Sequence, residues 1–354
     1  MNHPVFRTIT MRYWMVHWFF LGSTAVLPHS LLEHHTGVIM QQSPHAFDRI
    51  APAVASWYIN KKVLVTGGAG FIGSHLVEAL VSYGAQVTII DDFSTGSDNN
   101  IAAVADTVTI IRGSITDPAL AALACQGQEI IFHLAAVVSV VESIADPIHC
   151  NTINSAGTLT ILQAARNAGC NRMIFSSSAA VYGNREGTVA EDAPCLPTSM
   201  YGVSKLMGEQ YCRLYSMQYG VNTIALRYFN VYGPRQRADS PYSGVIARFT
   251  QRLQANQSIT IFGDGNQTRD FVPVSIVVQA NLIAGTMTEK YQGEAINVGL
   301  SKELSINTLL KILQSEFPGY NAPIVHETAR SGDIRHSVAC NQRLLTLLEQ
   351  SWLA

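Results

Sequence analysis

Two side chains four residues apart give the first sign of chemistry: Tyr201 and Lys205, in the run Tyr201-Gly202-Val203-Ser204-Lys205. On a helix that spacing sets a phenol and an ammonium on one face, within reach of one ligand. A free phenol, with a pKa near 10, is a poor base at neutral pH. A neighbouring cation favours the phenolate and lowers that value. The pair could then take the proton of a hydroxyl while the carbon beneath it is oxidised. An aromatic residue packed beside a solvated lysine has the same spacing, and the spacing alone leaves both open. Upstream, Ser176-Ser177-Ser178 closes an apolar run, where a hydroxyl could hold a substrate oxygen; strand-end turn chemistry accounts for one or two of the three. Downstream stand Arg269-Asp270 and Arg330-x-x-Asp333. Guanidinium forks suit diphosphates, although isolated arginines are most often surface residues.

A second constellation is Thr66-Gly67-Gly68-Ala69-Gly70-Phe71-Ile72-Gly73, entered from the apolar run Lys62-Val63-Leu64-Val65. Strand, G-x-x-G-x-x-G and helical spacing follow in the order that suits a nucleotide diphosphate. Gly67 allows the tight turn, Gly70 a close backbone approach to the pyrophosphate, and Gly73 close packing of helix on strand. The N–H groups and positive end of the new helix then face the phosphates. About 20 residues onward an acid is expected to bind ribose hydroxyls. Gln86-Val87-Thr88-Ile89-Ile90 ends there in Asp91-Asp92. The Asp91 charge would repel a 2′-phosphate, favouring NAD over NADP. Gly-Lys-Ser/Thr is absent, which argues against a P-loop.

These groups need a frame, and the chain supplies it by alternation. Strands are predicted at 62–65, 86–90, 108–111, 129–134, 172–176 and 223–227, and helices at 118–124, 154–168 and 200–219. In the second helix Leu159, Leu162 and Ala165 are read as inward; the first begins with Asp117 as cap and Pro118 behind it. Such alternation implies right-handed crossovers and a parallel sheet covered on both faces. The fold class expected is α/β, a Rossmann-type doubly wound sheet with a smaller, mixed C-terminal lobe. The division expected is an extension over 1–60, an NAD-binding domain over 61–230, and over 231–354 a mainly substrate-binding lobe with segments returning to the sheet.

Composition agrees with a large globular core: 354 residues, 47% apolar and 14% charged. A net charge of −2 offers no footprint for nucleic acid. Six cysteines, none in a C-x-x-C pair, read as buried or incidental thiols of a reducing, cytoplasmic compartment, with no disulfide framework or metal site. The first 60 residues differ from the rest. An apolar run from Tyr13 to Leu27 follows Arg7 and Arg12, but is too short for a membrane span and is interrupted by His17. No small-x-small cleavage site follows closely; Ala53-Val54-Ala55 is too distant for a usual signal peptide. A poorly ordered extension, or a translation start set too far upstream, is the preferred reading; a targeting or anchoring segment is the other.

TGGAGFIGSH, the Asp91 strand end, HLAA at 133–136, Asn154-x-x-Gly-Thr, SSSAAVYG, YGVSK, RYFNVYGPRQ, IFGDGNQTRDF and RSGDIRHS occur in that order. Together they resemble the extended short-chain dehydrogenase/reductases and, within them, the nucleotide-sugar 4-epimerases, over about residues 62–345. The resemblance implies Tyr201 as catalytic base, Lys205 on the nicotinamide ribose and Ser178 orienting the sugar hydroxyl. It implies NAD held by Gly67, Gly70, Phe71, Ile72, Gly73, Asp91, Asp92, Ile115, Leu134, Ala135, Ala136, Asn154 and Tyr228, together with Tyr201 and Lys205. It places the UDP group of a UDP-hexose on Asn230, Arg269, Arg330 and Asp333. It further implies 4-epimerisation, in which NAD takes the C4 hydride, the keto sugar turns, and the hydride returns to the other face. Related dehydratases and decarboxylases carry an acid in the segment equivalent to Ser178–Val181; here Ala179 and Ala180 stand there. Ser337 matches a gatekeeper beside the sugar C2 group, where a tyrosine excludes N-acetyl, so both UDP-glucose and UDP-N-acetylglucosamine are expected as substrates. A homodimer is expected by the same analogy.

Three departures from the family pattern stand out. Ser114 replaces an aspartate that touches adenine, leaving Ile115 and backbone groups there. Pro273 and Ser275 replace residues that are usually aromatic and acidic. The final LLEQSWLA falls short of the usual last helix. Two rivals stay open: an epimerase of a uronic acid or deoxysugar nucleotide, and a catalytically silent NAD-binding regulator.

Overall fold

The computed structural model describes residues 51–237, 244–287, 291–329 and 334–353. The apolar run at 13–27, Arg330 and Asp333 lie outside them.

Seven parallel strands form the central sheet: β1 (Lys62–Thr66), β2 (Gln86–Asp91), β3 (Thr109–Arg112), β4 (Ile130–His133), β5 (Arg172–Ser178), β6 (Asn222–Tyr228) and β7 (Gln292–Val298). Their order is β7-β6-β5-β4-β1-β2-β3. The unbroken apolar run of β1 has a direct cause: Val63 and Val65 enter one buried cluster and Leu64 the other. On the first face lie α1 (Pro52–Trp57), α2 (Phe71–Ser82), α9 (Val274–Thr286) and α11 (Gln342–Leu353). On the second lie α3 (Pro118–Cys125), α6 (Gly157–Asn167) and α7 (Met200–Tyr219). Two short helices, α4 (Val140–Ala145) and α5 (Pro147–Asn151), precede α6.

Local chemistry starts and stops these elements, and the Asp117 cap falls where it was read from the residues. The Asp117 carboxylate accepts the N–H of Ala119 at 2.8 Å and of Leu120 at 3.1 Å, opening α3. Ser199 accepts the Gly202 N–H at 3.1 Å, and α7 ends at Gly220 in the left-handed region.

Five observations differ from expectation. β7 lies in the half read as irregular; its opening residues Gln292, Gly293 and Glu294 are polar and carry a bulge, which hides an edge strand. β3 sits one residue later than read. Leu159 is half exposed, because the inward stripe of α6 is Thr158, Ile161, Leu162 and Ala165, and Leu159 lies a third of a turn away. A π-helical turn over Thr152–Ala156, with one residue more per turn, precedes that helix and was invisible to a 3.6-residue pattern. Residues 51–58, read as the end of the extension, pack on the sheet: Val54 and Tyr58 are buried, and the Tyr58 hydroxyl donates to the Leu282 carbonyl of α9 at 2.7 Å.

Beyond β6 a separate apolar cluster joins α8 (Val245–Gln254) and α10 (Ile306–Ser315) through Phe249, Ile259, Ile261, Phe271, Leu309 and Leu313. The short strands Asn230–Tyr232 and Phe271–Pro273 pair in parallel, holding this cluster against the carboxyl edge of the sheet.

Candidate active site

The carboxyl ends of β1, β4 and β5 are adjacent in the sheet, so the glycine turn, the HLAA segment and the serine triplet meet along one edge. Gly67 adopts φ +69°, and a Cβ on it would lie 2.8 Å from the Ala135 nitrogen. A Cβ on Gly73 would lie 2.1 Å from the Gly67 carbonyl oxygen, so only glycine lets α2 pack this closely. α2 starts at Gly70 with no side chain capping its first turn, so the N–H groups of Phe71, Ile72 and Gly73 are left for an anion.

Asp91 ends β2, buried. Its carboxylate accepts the Ala69 N–H at 2.9 Å and the Phe93 N–H at 2.8 Å. Burial raises its pKa, while these two N–H groups work against that rise. Each oxygen keeps lone pairs for a ribose hydroxyl. Asp92 points elsewhere: exposed, it accepts the backbone N–H and hydroxyl of Ser94 at 2.9 and 2.6 Å and closes a turn. Ile115 is buried under α6, and Ser114 bonds Thr116 at 2.8 Å.

Leu134, Ala135 and Ala136 follow β4 as the facing wall. Asn154, in the π turn, accepts the Val137 N–H at 2.8 Å and donates to the Val137 carbonyl and the Ser204 hydroxyl, each at 2.9 Å. It thereby ties this wall to α7. Tyr228 is buried and its hydroxyl is held by Ser176 at 3.0 Å and by the Asn281 amide at 2.7 Å, so that hydroxyl serves the protein interior.

Tyr201, Lys205 and Ser178 come together. The Lys205 Nζ donates to the Ser176 carbonyl at 2.8 Å and lies 5.9 Å from the Tyr201 ring centre. Burial pushes the Tyr201 phenol up to about 12, and the hydrogen bond from Ser178 opposes that rise. Burial likewise brings Lys205 down to about 8. Any added positive charge beside the phenol would lower its pKa, which is the condition for a base. Ser178 accepts the Ala180 N–H at 3.2 Å, which fixes its hydroxyl at the strand end.

Several supporting residues were not singled out from the sequence. Ser143 of α4, fully buried, accepts the Tyr201 backbone N–H at 3.1 Å. Glu209 lies one turn beyond Lys205 and accepts from Ser177, at 2.5 Å, and from Arg227 through Nε and Nη2 at 2.9 and 2.7 Å. The i, i+4, i+8 run of Tyr201, Lys205 and Glu209 was the signal available. Asp270, fully buried, accepts the N–H groups of Leu300, Ser301 and Ala339. It fixes the loop after β7, and its own N–H donates to the Ser337 carbonyl at 2.8 Å. Ser337 is therefore beside Arg269-Asp270, and Asn230 is joined to the same strand by its N–H to the Asp270 carbonyl at 3.0 Å. Arg269 donates to the Thr268 carbonyl at 2.8 Å.

Residues 63–299 match the NAD dependent epimerase/dehydratase family. The chain belongs to this family. It is an enzyme of the epimerase kind, with NAD as its cofactor, and the glycine turn, the uncapped start of α2 and Asp91 fit that dinucleotide. A putative UDP-glucose 4-epimerase of Methanocaldococcus jannaschii is 40% identical over 275 residues, 77% of this chain and 87% of that protein. A UDP-N-acetyl-alpha-D-glucosaminuronate decarboxylase of Bacillus cytotoxicus is 38% identical over 76% of this chain and 84% of that one. Among solved structures, UDP-N-acetylglucosamine 4-epimerase of Methanobrevibacter ruminantium, in complex with UDP-N-acetylmuramic acid, superposes with a TM-score of 0.77 at 36% identity, covering 83% of this chain and 96% of that one. Among the described residues no helix is long and apolar enough to cross a membrane.

Proposed function

We propose that the protein interconverts the C4 epimers of UDP-hexoses, the glucose/galactose pair and the N-acetyl pair alike. The observation that carries this is the company Ser178 keeps. Tyr201 and Lys205 stand beside it, and the turn Ala179–Tyr182 that follows has no carboxylate. The acid on α7, Glu209, is consumed by Arg227 and Ser177. A dehydratase or decarboxylase needs a further proton carrier at the sugar; an epimerase needs one base and one hydrogen-bond donor.

Bound NAD supplies an acceptor, and afterwards a donor, of the C4 hydrogen with its electron pair. In this proposal Tyr201 takes the O4 proton and later returns it, with Ser178 holding the same oxygen. Lys205 keeps the phenol ionisable and holds nicotinamide ribose. Gly67, Gly70, Phe71, Ile72, Gly73, Asp91, Ile115, Leu134, Ala135, Ala136 and Asn154 line the dinucleotide, with Asp92 and Tyr228 contributing backbone and ring rather than free polar groups. Asn230, at the end of the cofactor-holding residues 61–230, and Arg269, Arg330 and Asp333, within residues 231–354, hold the UDP group. Ser337 leaves space at C2. All six cysteines are free thiols, which supports action in the cytoplasm.

We infer also that two copies pair through α4, α5 and α7. Val141, Ile144, Ile148, Met200, Val203 and Met207 are exposed large apolar side chains on these neighbouring helices, and Ile148 is 76% exposed.

Separate incubations with UDP-glucose and UDP-N-acetylglucosamine, read by chromatography, test the activity: each pair should reach its epimer equilibrium. Release of carbon dioxide from a UDP-uronic acid, with no epimer formed from either hexose, would favour the decarboxylase reading that the Bacillus relative offers. Tyr201→Phe should lower kcat by about 10²–10⁴ while the protein keeps NAD. Activity surviving that change shows that the base is assigned wrongly.

A further inference from the structure

His133 ends β4, buried between two hydroxyls that no step of the reaction uses. Its Nδ1 lies 2.8 Å from Thr66 Oγ1 and its Nε2 2.9 Å from Thr158 Oγ1. The ring stacks on Phe175 at 5.9 Å between centres. Proton positions follow from the neighbours. Thr158 Oγ1 is 2.6 Å from the Asn154 carbonyl oxygen, which has no proton, so the hydroxyl must donate there. Thr158 can then only accept from the imidazole, and Nε2 carries the ring proton. Nδ1 is left as an acceptor and takes the Thr66 hydroxyl proton. The lone pairs of Thr66 Oγ1 are thereby turned to the N–H of Ala135 and to that of Leu134, each at 3.1 Å, the latter shared with the Thr66 carbonyl at 3.1 Å.

Every donor and acceptor in this chain is satisfied, and only one tautomer achieves it. A proton on Nδ1 would leave the Thr66 hydroxyl proton without an acceptor and Nε2 without a donor, since the Thr158 hydroxyl is committed to the Asn154 carbonyl. Burial, with the Lys205 charge adding to it, holds the imidazole neutral, down to about 3. The segment so held is the wall that closes on the glycine turn, where Gly67 has no room for a side chain against Ala135.

We propose that His133 is a positioning residue for the dinucleotide: as the neutral Nε2–H imidazole it orients the Thr66 hydroxyl, and through it the Leu134–Ala135 wall of the cofactor cleft. This rests on the NAD assignment made above. No contact between His133 and cofactor or sugar is involved; it acts through Thr66.

Two measurements on the full chain test it. Long-range ¹H–¹⁵N spectra of the histidine side chains, with His133 assigned by its loss in His133→Phe, should show the Nε2–H form unchanged between about pH 5.5 and 8. An Nδ1–H form, or titration near the ordinary value of about 6.5, overturns the proposal. NAD retained after gel filtration, and its dissociation constant by fluorescence titration, give the second readout. His133→Phe and Thr66→Val should each weaken NAD about tenfold or more. Because they act in series, the double variant should be no weaker than the worse single one. Multiplying effects, or unchanged affinity in a folded variant, overturn the proposal. Where His133→Phe does not fold, Thr66→Val keeps the imidazole, and its NAD affinity decides the matter in the same way. Wild-type protein that takes up no NAD would instead overturn the cofactor assignment and this role together, whereas NAD-binding wild type with unaffected variants overturns this role alone.

Discussion

At the scale of single residues, the site gathers groups whose burial opposes their charge. Tyr201, pushed up to about 12, and Lys205, brought down to about 8, are both shifted toward their neutral forms by burial. Arg227 and Glu209 solve the same problem by pairing: both are almost fully buried, and each satisfies the other through two hydrogen bonds. His133 solves it by staying neutral, and this has a consequence for acid stability. Its folded pKa, about 3, lies below the unfolded value, so the unfolded chain takes up a proton that the folded one refuses. Stability should therefore fall as pH drops below about 6.5, by on the order of a few kcal/mol towards pH 4. Urea melts across that range check this, and in a folded His133→Phe the acid loss should be smaller.

At the scale of elements, the strand–turn–helix unit β1–α2 is closely packed at its turn. A Cβ would meet backbone at Gly67, 2.8 Å from the Ala135 nitrogen, and at Gly73, 2.1 Å from the Gly67 carbonyl oxygen. Gly73→Ala should consequently separate α2 from the turn. The expected result is loss of bound NAD and destabilisation by about 1–3 kcal/mol, read by cofactor content and by thermal melting. α7 is the second such element: Ser199 and Ser143 hold its first turn, Lys205 and Glu209 anchor it to β5, and Tyr201 is carried at its start. The glycine turn of the first unit was legible in the residues, because such turns act over three or four positions. The π turn and the bulged edge of β7 were not, because each inserts a residue that breaks the period used to find it.

At the scale of the whole molecule, the sheet edge joins segments that are far apart in sequence. Arg235 shows how tightly they are joined: its guanidinium, in the turn after Asn230–Tyr232, donates to Ser74 at 3.1 Å and to Glu78 at 2.5 Å, both on α2. The exposed apolar face of α4, α5 and α7 backs directly onto Ser143 and hence onto Tyr201. Ile148→Glu should convert a dimer to a monomer in light-scattering chromatography; a wild-type monomer at micromolar concentration would remove the pairing proposal. Substrate breadth belongs to this scale too. Ser337→Tyr should reduce turnover of the N-acetyl pair while sparing the glucose/galactose pair, as competing-substrate assays would show.

What the sequence determined by itself was governed by near neighbours: the glycine turn, Asp91 at the end of its strand, the cap of α3, and the helical pairing of Tyr201 with Lys205. Tertiary structure alone decided which distant groups meet. Ser178 reaches Tyr201, Glu209 reaches Arg227, and His133 finds Thr66 and Thr158, each across a strand or helix boundary. Short-range backbone preferences are written locally, but a hydrogen bond between residues 67 apart depends on the order in which strands pack.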